Sequence, residues 1–207
     1  VDLDRYAART KLCAVLPRVF RTEDEALFRE KLQRFPQLSA VAVGNLGHLP
    51  IVEGLGLEVR GDFGLNVFNS RALAFLRELG LASATVSFEL RHQQVRDLAK
   101  LLPCEGIVYG RLPLMVMENC ITKNNVGCRH GAGSTLTDRT GAQFPVQCVY
   151  GCRNEIENSL PLFLADKAEW RGCGLTSARL RFTTETADEC AAVLRRYRGE
   201  GDYAPEK

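Results

Sequence analysis

The sequence has little that would place it in a membrane, in a disulfide scaffold or on nucleic acid through overall charge. Its longest apolar stretch, residues 106–117, is interrupted by Arg111 and Pro113 and is too short to span a bilayer. Eight cysteines in 207 residues are too few for a disulfide scaffold. The 27 basic and 25 acidic residues give a formal net charge of +2, so any RNA contact has to be local.

Signals for secretion and for common hydrolases are also missing. The first residues, from Val1 to Arg5, contain neither an initiating Met nor a charged segment followed by an apolar one. We therefore interpret the chain as an internal piece of a longer polypeptide and expect it in the cytoplasm, where thiols stay reduced. The sequence contains no Gly-x-Ser-x-Gly elbow and no His-Glu-x-x-His motif, so it offers no evident peptidase mechanism.

What the sequence does contain is an alternation of strand-like runs and amphipathic helices. The strands are predicted at residues 12–19, 40–43, 57–59 continuing to 65–68, 84–88 and 107–116. Helices are predicted after a Thr22/Glu25 capping box, after a cap at Asn69 or Ser70, and over residues 91–102. This alternation predicts an α/β fold, a (β/α) TIM-barrel-like sheet that forms part of a barrel. About six strands are visible of the eight that a closed barrel requires.

After Met117 the alternation stops. Residues 118–152 form a cysteine-rich loop with a β-hairpin around Asp138-Arg139-Thr140-Gly141, and we expect them to be inserted after a barrel strand. A closing strand and a helix capped by Thr186 and Glu189 follow in residues 153–198, and residues 199–207 are expected to be a frayed tail. Residues 1–117 would then hold the barrel units.

Four of the cysteines, Cys120, Cys128, Cys148 and Cys152, lie in this insertion. Thiolates in one loop and hairpin can converge on a metal ion or cluster, because soft sulfur ligands suit iron-sulfur centres and zinc. The alternative is that they are reduced cysteines that pack a small subdomain. Cys173 or Cys190 could replace one of the four, whereas we expect Cys13 and Cys104 in the core.

His130, in the same loop, could bind metal or act as a base, His48 could face a barrel mouth, and His92 is expected to begin a helix. Barrel enzymes bind substrate on loops at the carboxyl ends of strands, and five polar residues near predicted strand ends are therefore candidates for catalysis. They are Arg60, Asp62, Asn66, Glu89 and Arg111. Strand alternation would put Arg60, Asp62 and Asn66 on one side, and an inner salt bridge between Arg60 and Asp62 is the structural alternative.

Several segments resemble the collagenase-like peptidase family U32. They are residues 61–70, Ser87-Phe88-Glu89-Leu90, residues 109–115, and Asp138-Arg139 with Phe144-Pro145-Val146, and the resemblance covers roughly residues 57–183. The family is bacterial and named for collagenase-like activity. Several members instead support oxygen-independent hydroxylation of RNA or a quinone precursor, drawing the hydroxyl from prephenate, and some hold a four-iron four-sulfur cluster on four cysteines.

The resemblance implies a barrel with a cluster on Cys120, Cys128, Cys148 and Cys152. Cys190 is an alternative to Cys148 as a ligand, and zinc is an alternative to the cluster. This chain differs from cluster-binding relatives in carrying Leu112 and Pro113 where they commonly have a Cys, and in its cysteine spacing. The implied partners are RNA or a small aromatic substrate and the rest of the same polypeptide. Two alternatives are a metal- or thiol-dependent peptidase acting on collagen-like peptides, and a non-catalytic barrel half that scaffolds another domain.

Overall fold

The structure is a computed structural model that describes residues 2–128 and 134–205. The chain forms two compact units. The first unit comprises Val1–Gly106 with Arg171–Ala178, and the second comprises Ile107–Trp170 with Arg179–Lys207. The predicted boundary between Met117 and Glu118 therefore falls inside the second unit. In the described ranges, no helix is long and apolar enough to cross a membrane.

The first unit is built on a curled parallel sheet, as predicted for part of a (β/α) barrel. Its strands are adjacent in chain order and every pair of neighbours is parallel. They are β1 Leu12–Val15, β2 Leu38–Val43, β3 Glu58–Gly61, β4 Ser83–Thr85 and the first part of β5 Cys104–Gly110. The helices of this unit are α1 Leu3–Ala7, α2 Glu25–Gln33, α3 Leu49–Val52, α4 Ser70–Glu78 and α5 His92–Asp97.

Burial of apolar side chains on β2 and on the helices stabilises this sheet. Residues 40–43 of β2 are at most 2% exposed, as expected for a strand covered on both faces. From α4, Leu73 and Leu76 are buried at helical spacing. Burying a side chain of this size contributes about 1.5–3 kcal/mol.

Of the two helix starts predicted from capping residues in this unit, one is confirmed and one is wrong. The Asn69 side chain accepts the Ala72 N–H at 2.9 Å and begins α4, as predicted. The Thr22/Glu25 capping box was wrong, because Thr22–Asp24 form a 3₁₀ turn and the Asp24 carboxylate accepts the Arg21 N–H instead. The helix predicted over residues 91–102 ends at Asp97.

The second unit contains the remainder of β5, which pairs with β10 Leu162–Phe163 in antiparallel fashion, and a separate four-stranded antiparallel sheet. The order in that sheet is β6 Pro113–Met117, β9 Arg153–Glu157, β8 Gln143–Val149 and β7 Ser134–Thr137. Helix α6 Ile121–Val126 follows β6, strand β11 Ser177–Leu180 pairs with β5, and helix α7 Ala187–Arg198 follows the cap at Thr186. The Thr186/Glu189 capping box is confirmed.

The single strand predicted over residues 107–116 was wrong, because the chain breaks into β5 and β6 in different sheets. Gly110 ends β5 with φ of 120°, which L side chains rarely adopt. A Cβ built on Gly110 would lie 2.0 Å from the Arg181 carbonyl oxygen. Glycine is therefore required where the chain leaves the parallel strand.

The predicted hairpin at Asp138-Arg139-Thr140-Gly141 is confirmed as the β7–β8 connection. Asp138 Oδ1 accepts the backbone N–H groups of Thr140 and Ala142 at 2.8 and 2.9 Å, and the Thr140 hydroxyl and these N–H groups lower the pKa of Asp138. Strands β6 and β9, which flank residues 118–152, belong to the same sheet as the hairpin. Within the predicted tail, the Tyr203 ring packs 6.3 Å from that of Phe163.

Candidate metal centre

The four predicted ligand cysteines belong to one region of the second unit. Cys120 follows β6 and caps α6, and Cys128 follows α6. Cys148 lies in β8, and Cys152 lies in the turn between β8 and β9. Burial raises the pKa of Cys148, and the neighbouring thiols of Cys152, Cys120 and Cys128 raise it further. The other three thiols therefore lie close enough to Cys148 to interact with it electrostatically.

Local pairing explains why residues far apart in sequence meet here. Asn154 in β9 lies opposite Met117 in β6 on one side and opposite Cys148 in β8 on the other. Helix α6 is tied to the same sheet at two points. The Ile121 N–H donates to Asn154 Oδ1 at 2.8 Å, and the Thr122 hydroxyl lies 2.9 Å from that of Ser134.

The Cys120 sulfur is held by two N–H donors. It accepts the Lys123 backbone N–H at 3.4 Å and the Asn154 side-chain amide at 3.7 Å. Cys120 is partly buried, whereas Cys128, Cys148 and Cys152 are exposed. One thiol is thus fixed, and three are accessible from solvent.

The turn that carries Cys152 has an unusual backbone. Gly151 and Cys152 both have positive φ, at 74° and 58°. Next to them the buried Arg153 guanidinium contacts Glu118 Oε1 at 2.8 Å and the Tyr150 carbonyl at 3.2 Å. The positive φ at Gly151 favours glycine there, and a Cβ would also lie 2.5 Å from Arg153 Nη1.

The donor set fits an iron-sulfur cluster or zinc, because both accept four thiolates. The ligand geometry is not already assembled: within residues 2–128 and 134–205, no group of three or more His, Cys, Asp and Glu side chains is arranged to hold a metal ion. His130, the further ligand considered from sequence, lies outside the described residues.

The remaining cysteines are placed differently. Cys104 and Cys173 are buried in the first unit, and their thiols donate to the carbonyls of Leu102 and His92. Cys13 was predicted to be in the core but is exposed, because β1 is the edge strand of its sheet. Cys190 lies in the first turn of α7 and does not contribute to the shift of the Cys148 pKa.

Arg111, predicted as a catalytic residue, binds backbone and side-chain groups of its own unit. Its Nη1 donates to the Asn158 carbonyl at 2.9 Å and to the Ser159 carbonyl, and its Nε lies 3.4 Å from the Thr184 hydroxyl. These contacts hold together the connections that follow β9 and β11.

The other predicted residues lie in the first unit, near the ends of its strands. Arg60 contacts Glu58 at 2.7 Å, and the predicted Arg60–Asp62 salt bridge is not the contact that forms. Asp62 is buried, and its Oδ1 accepts the Phe63 N–H at 2.8 Å. Strand β3 ends at Gly61 and Asn66 has φ of 50°, so the predicted alternation does not reach Asn66. Glu89 is exposed after β4.

Two further polar side chains join Asp62 at the carboxyl ends of β1, β2 and β3. Arg18 lies over the Phe63 ring at 5.3 Å, and His48 is fully buried with its ring 4.7 Å from that of Phe20. Neither His48 ring nitrogen has a hydrogen-bond partner of ordinary geometry among the described residues. Burial lowers the pKa of His48, with a smaller opposing effect from the Pro17 carbonyl and the Asp62 carboxylate.

Sequence reasoning placed His48 at a barrel mouth but did not select it as a site residue, and it missed Arg18. Their positions along the chain could have identified both residues, since Arg18 closely follows β1 and His48 follows β2. The carboxyl ends of parallel strands are where barrel proteins bind ligands.

Fold and side chains together define a protein with a (β/α) half-barrel sheet and a cysteine-bearing antiparallel sheet. The family model of peptidase family U32 matches residues 4–143, more than half of the chain. The chain belongs to this family. No curated protein and no solved structure matches it.

Proposed function

We propose that this U32 protein binds a four-iron four-sulfur cluster through Cys120, Cys128, Cys148 and Cys152, and acts in hydroxylation of RNA or a small aromatic substrate. The observation that supports the cluster is the grouping of four cysteines in β8, in the β8–β9 turn and at the two ends of α6, where the thiols of Cys152, Cys120 and Cys128 add to the effect of burial in raising the pKa of Cys148. Free cysteines of a folded domain are more often buried and separate, as Cys104 and Cys173 are.

The chain contributes one ligand that is already held by hydrogen bonds and three that are exposed. Cys120 is held by the amide of Asn154 and the backbone of α6, whereas Cys128, Cys148 and Cys152 are exposed. When bound, such a cluster supplies one-electron redox chemistry. Zinc on the same four thiolates would instead be structural.

The substrate side of the proposal is supported by the family and by the polar ends of the parallel strands. Asp62, His48 and Arg18 occupy the position at which barrel enzymes bind substrates, and Asp62 is the strongest catalytic candidate of those predicted. Arg60, Asn66 and Glu89 are proposed as its neighbours in binding. Arg111 is proposed to act by supporting local structure.

A cytoplasmic location belongs to the same proposal. None of the eight cysteines, all of which lie in the described residues, forms a disulfide, which is typical of a reducing compartment and necessary for thiolate ligands.

The family name favours a second candidate, a metal- or thiol-dependent peptidase that cleaves collagen-like peptides. In that case the same cysteines would hold a hydrolytic metal, or one of them would act as a nucleophile. Gelatin cleavage that is sensitive to chelators or thiol blockers would support this candidate. Failure to cleave gelatin with any divalent metal would count against it.

The deciding experiment is anaerobic purification with an absorption spectrum and analysis of iron, sulfide and zinc on one sample. We expect broad absorption near about 400 nm with matched iron and sulfide. Cys128→Ser should lose iron and colour, whereas Cys13→Ser, an exposed cysteine of the other unit, should retain both. Zinc alone would favour a structural or hydrolytic site, and a folded, metal-free protein would overturn the proposal.

A further inference from the structure

Asn154 is a buried polar residue in the middle of three paired strands. It is 1% exposed and lies opposite Met117 and Cys148 in the neighbouring strands. A buried carboxamide is costly unless its donors and acceptor are used, since each unsatisfied group costs about 1–3 kcal/mol. The partners of this side chain therefore indicate why an amide is tolerated at this position.

Both ends of the Asn154 carboxamide bind the segment that carries Cys120. Its Oδ1 accepts the Ile121 N–H at 2.8 Å, which positions the first residue of α6. Its Nδ2 donates to Cys120 Sγ at 3.7 Å, within range for a hydrogen bond to sulfur. The Lys123 N–H approaches the same sulfur at 3.4 Å.

Two N–H donors on one sulfur have a specific consequence when that sulfur binds a metal. They fix the direction of the sulfur and stabilise the negative charge it carries as a ligand. Hydrogen bonds to ligand sulfurs are one of the factors that set the reduction potential of an iron-sulfur cluster. The backbone supplies one of these donors, and Asn154 is the side chain that supplies the other.

We infer that Asn154 is a positioning residue for the metal centre, acting through Cys120 by orienting its sulfur and raising the reduction potential of the bound cluster. This inference rests on the proposed function, because it requires that Cys120 bind a metal. Asn154 itself does not contact the metal.

The test compares two Asn→Asp variants that add the same charge close to Cys120. Asn154→Asp keeps an oxygen for the Ile121 N–H but replaces the N–H donor to sulfur with an acceptor. Asn119→Asp is the matched control, since Asn119 is exposed, precedes Cys120 and accepts from Asn124 Nδ2 at 2.7 Å without contacting the sulfur. Cobalt(II) affinity of the metal-free protein and the midpoint potential of the iron-loaded protein are measured for each.

We expect Asn154→Asp to bind cobalt(II) about 10–100-fold more weakly than the wild type and to lower the midpoint potential of the cluster. Asn119→Asp should change the cobalt(II) affinity and the midpoint potential much less than Asn154→Asp does. The potential separates the inference from a merely structural role, because a loosened but intact site loses occupancy without a change in the potential of the remaining cluster.

The possible outcomes distinguish this inference from the proposed function. A wild-type protein that binds neither cobalt(II) nor an iron-sulfur cluster overturns the proposed metal centre and, with it, the role of Asn154. A metal-binding wild type with Asn154→Asp equal to Asn119→Asp overturns the role of Asn154 alone. Should Asn154→Asp fail to fold in thermal unfolding, Asn154→Ser removes the amide without adding charge and is compared with Asn119→Ser.

Discussion

Arg181 and Glu157 form a two-point ion pair within the second unit. Arg181 Nη1 and Nη2 lie 2.9 and 2.8 Å from the two Glu157 carboxylate oxygens, and Nη2 also lies 2.7 Å from Glu155 Oε1. The Glu157 side chain is 1% exposed and that of Arg181 is 16% exposed. Because Glu155 and Glu157 belong to β9 and Arg181 follows β11, this pair joins separate segments of one unit.

Replacing Arg181 with Met should strongly destabilise the protein. The change leaves the buried Glu157 carboxylate without its paired cation, and breaking a buried ion pair from one side costs about 3–5 kcal/mol. The free energy of unfolding in urea measures the effect. Arg34→Met is the control, because Arg34 pairs with Glu30 at 2.6 Å on an exposed helix face and should cost at most about 0.5 kcal/mol. Equal losses in the two variants would contradict the prediction.

His48 should make stability depend on pH. Burial lowers its pKa below the ordinary value of 6.5, so in acid the unfolded chain takes up a proton before the folded protein does. Stability should therefore fall as the pH drops below about 6.5 and continue to fall until the folded-state pKa is reached. Above that range the imidazole is neutral in both states and the contribution is constant.

The measurement is the free energy of unfolding at several pH values between about 8 and 5. His48→Gln should flatten the profile over this range. His92→Gln, at the exposed first residue of α5, is the matched control. An unchanged slope in His48→Gln would show that the unfolded and folded states bind protons equally at this residue.

Three glycine substitutions should separate backbone strain from steric clash. Gly110→Ala combines φ of 120° with a Cβ placed 2.0 Å from the Arg181 carbonyl oxygen, and should cost more than about 3 kcal/mol. Gly141→Ala has φ of 87° but open space, and should cost about 1 kcal/mol. Gly172→Ala has neither problem and should be close to neutral. Thermal unfolding of the three variants checks the order, and a mild Gly110→Ala would mean that β5 can continue past this residue.

The parallel sheet could be predicted from sequence because its signals are local. Strand β2 is a continuous apolar run and α4 begins at an Asn cap with Leu73 and Leu76 on one face, so short windows of sequence contain the pattern. The Thr186/Glu189 box is of the same kind. These elements depend on periodicity and capping, which neighbouring residues decide.

The errors came from contacts between residues distant in sequence. Gly110 looks like an ordinary residue within an apolar strand, and only the approach of the Arg181 backbone shows why the chain breaks there. The pairing of β6 with β9 likewise depends on residues about forty positions apart, which no local pattern indicates. For the candidate site, the sequence window predicts the four thiols as ligands, and this stays a prediction, whereas Asn154 carries no sequence signal as a partner of Cys120.

The sequence leaves open whether Cys148 or Cys190 is the fourth ligand of the proposed cluster, and we propose Cys148. Cys148 interacts with the thiols of Cys120, Cys128 and Cys152, whereas Cys190 is absent from these interactions and lies in a helical turn, with its N–H bonded to the Thr186 carbonyl. Using Cys190 as a ligand would involve the capped first turn of α7, whereas Cys148 is exposed on β8.

We therefore expect Cys148→Ala to lose most of its iron and sulfide after anaerobic purification, with loss of the visible absorption. Cys190→Ala should retain wild-type stoichiometry, and thermal unfolding of both proteins controls for misfolding. The reverse pattern would assign Cys190 as the ligand and would mean that α7 begins later in the metal-bound protein. Partial loss in both variants would indicate that the two cysteines compete for one coordination position, which the double variant would reveal by complete loss.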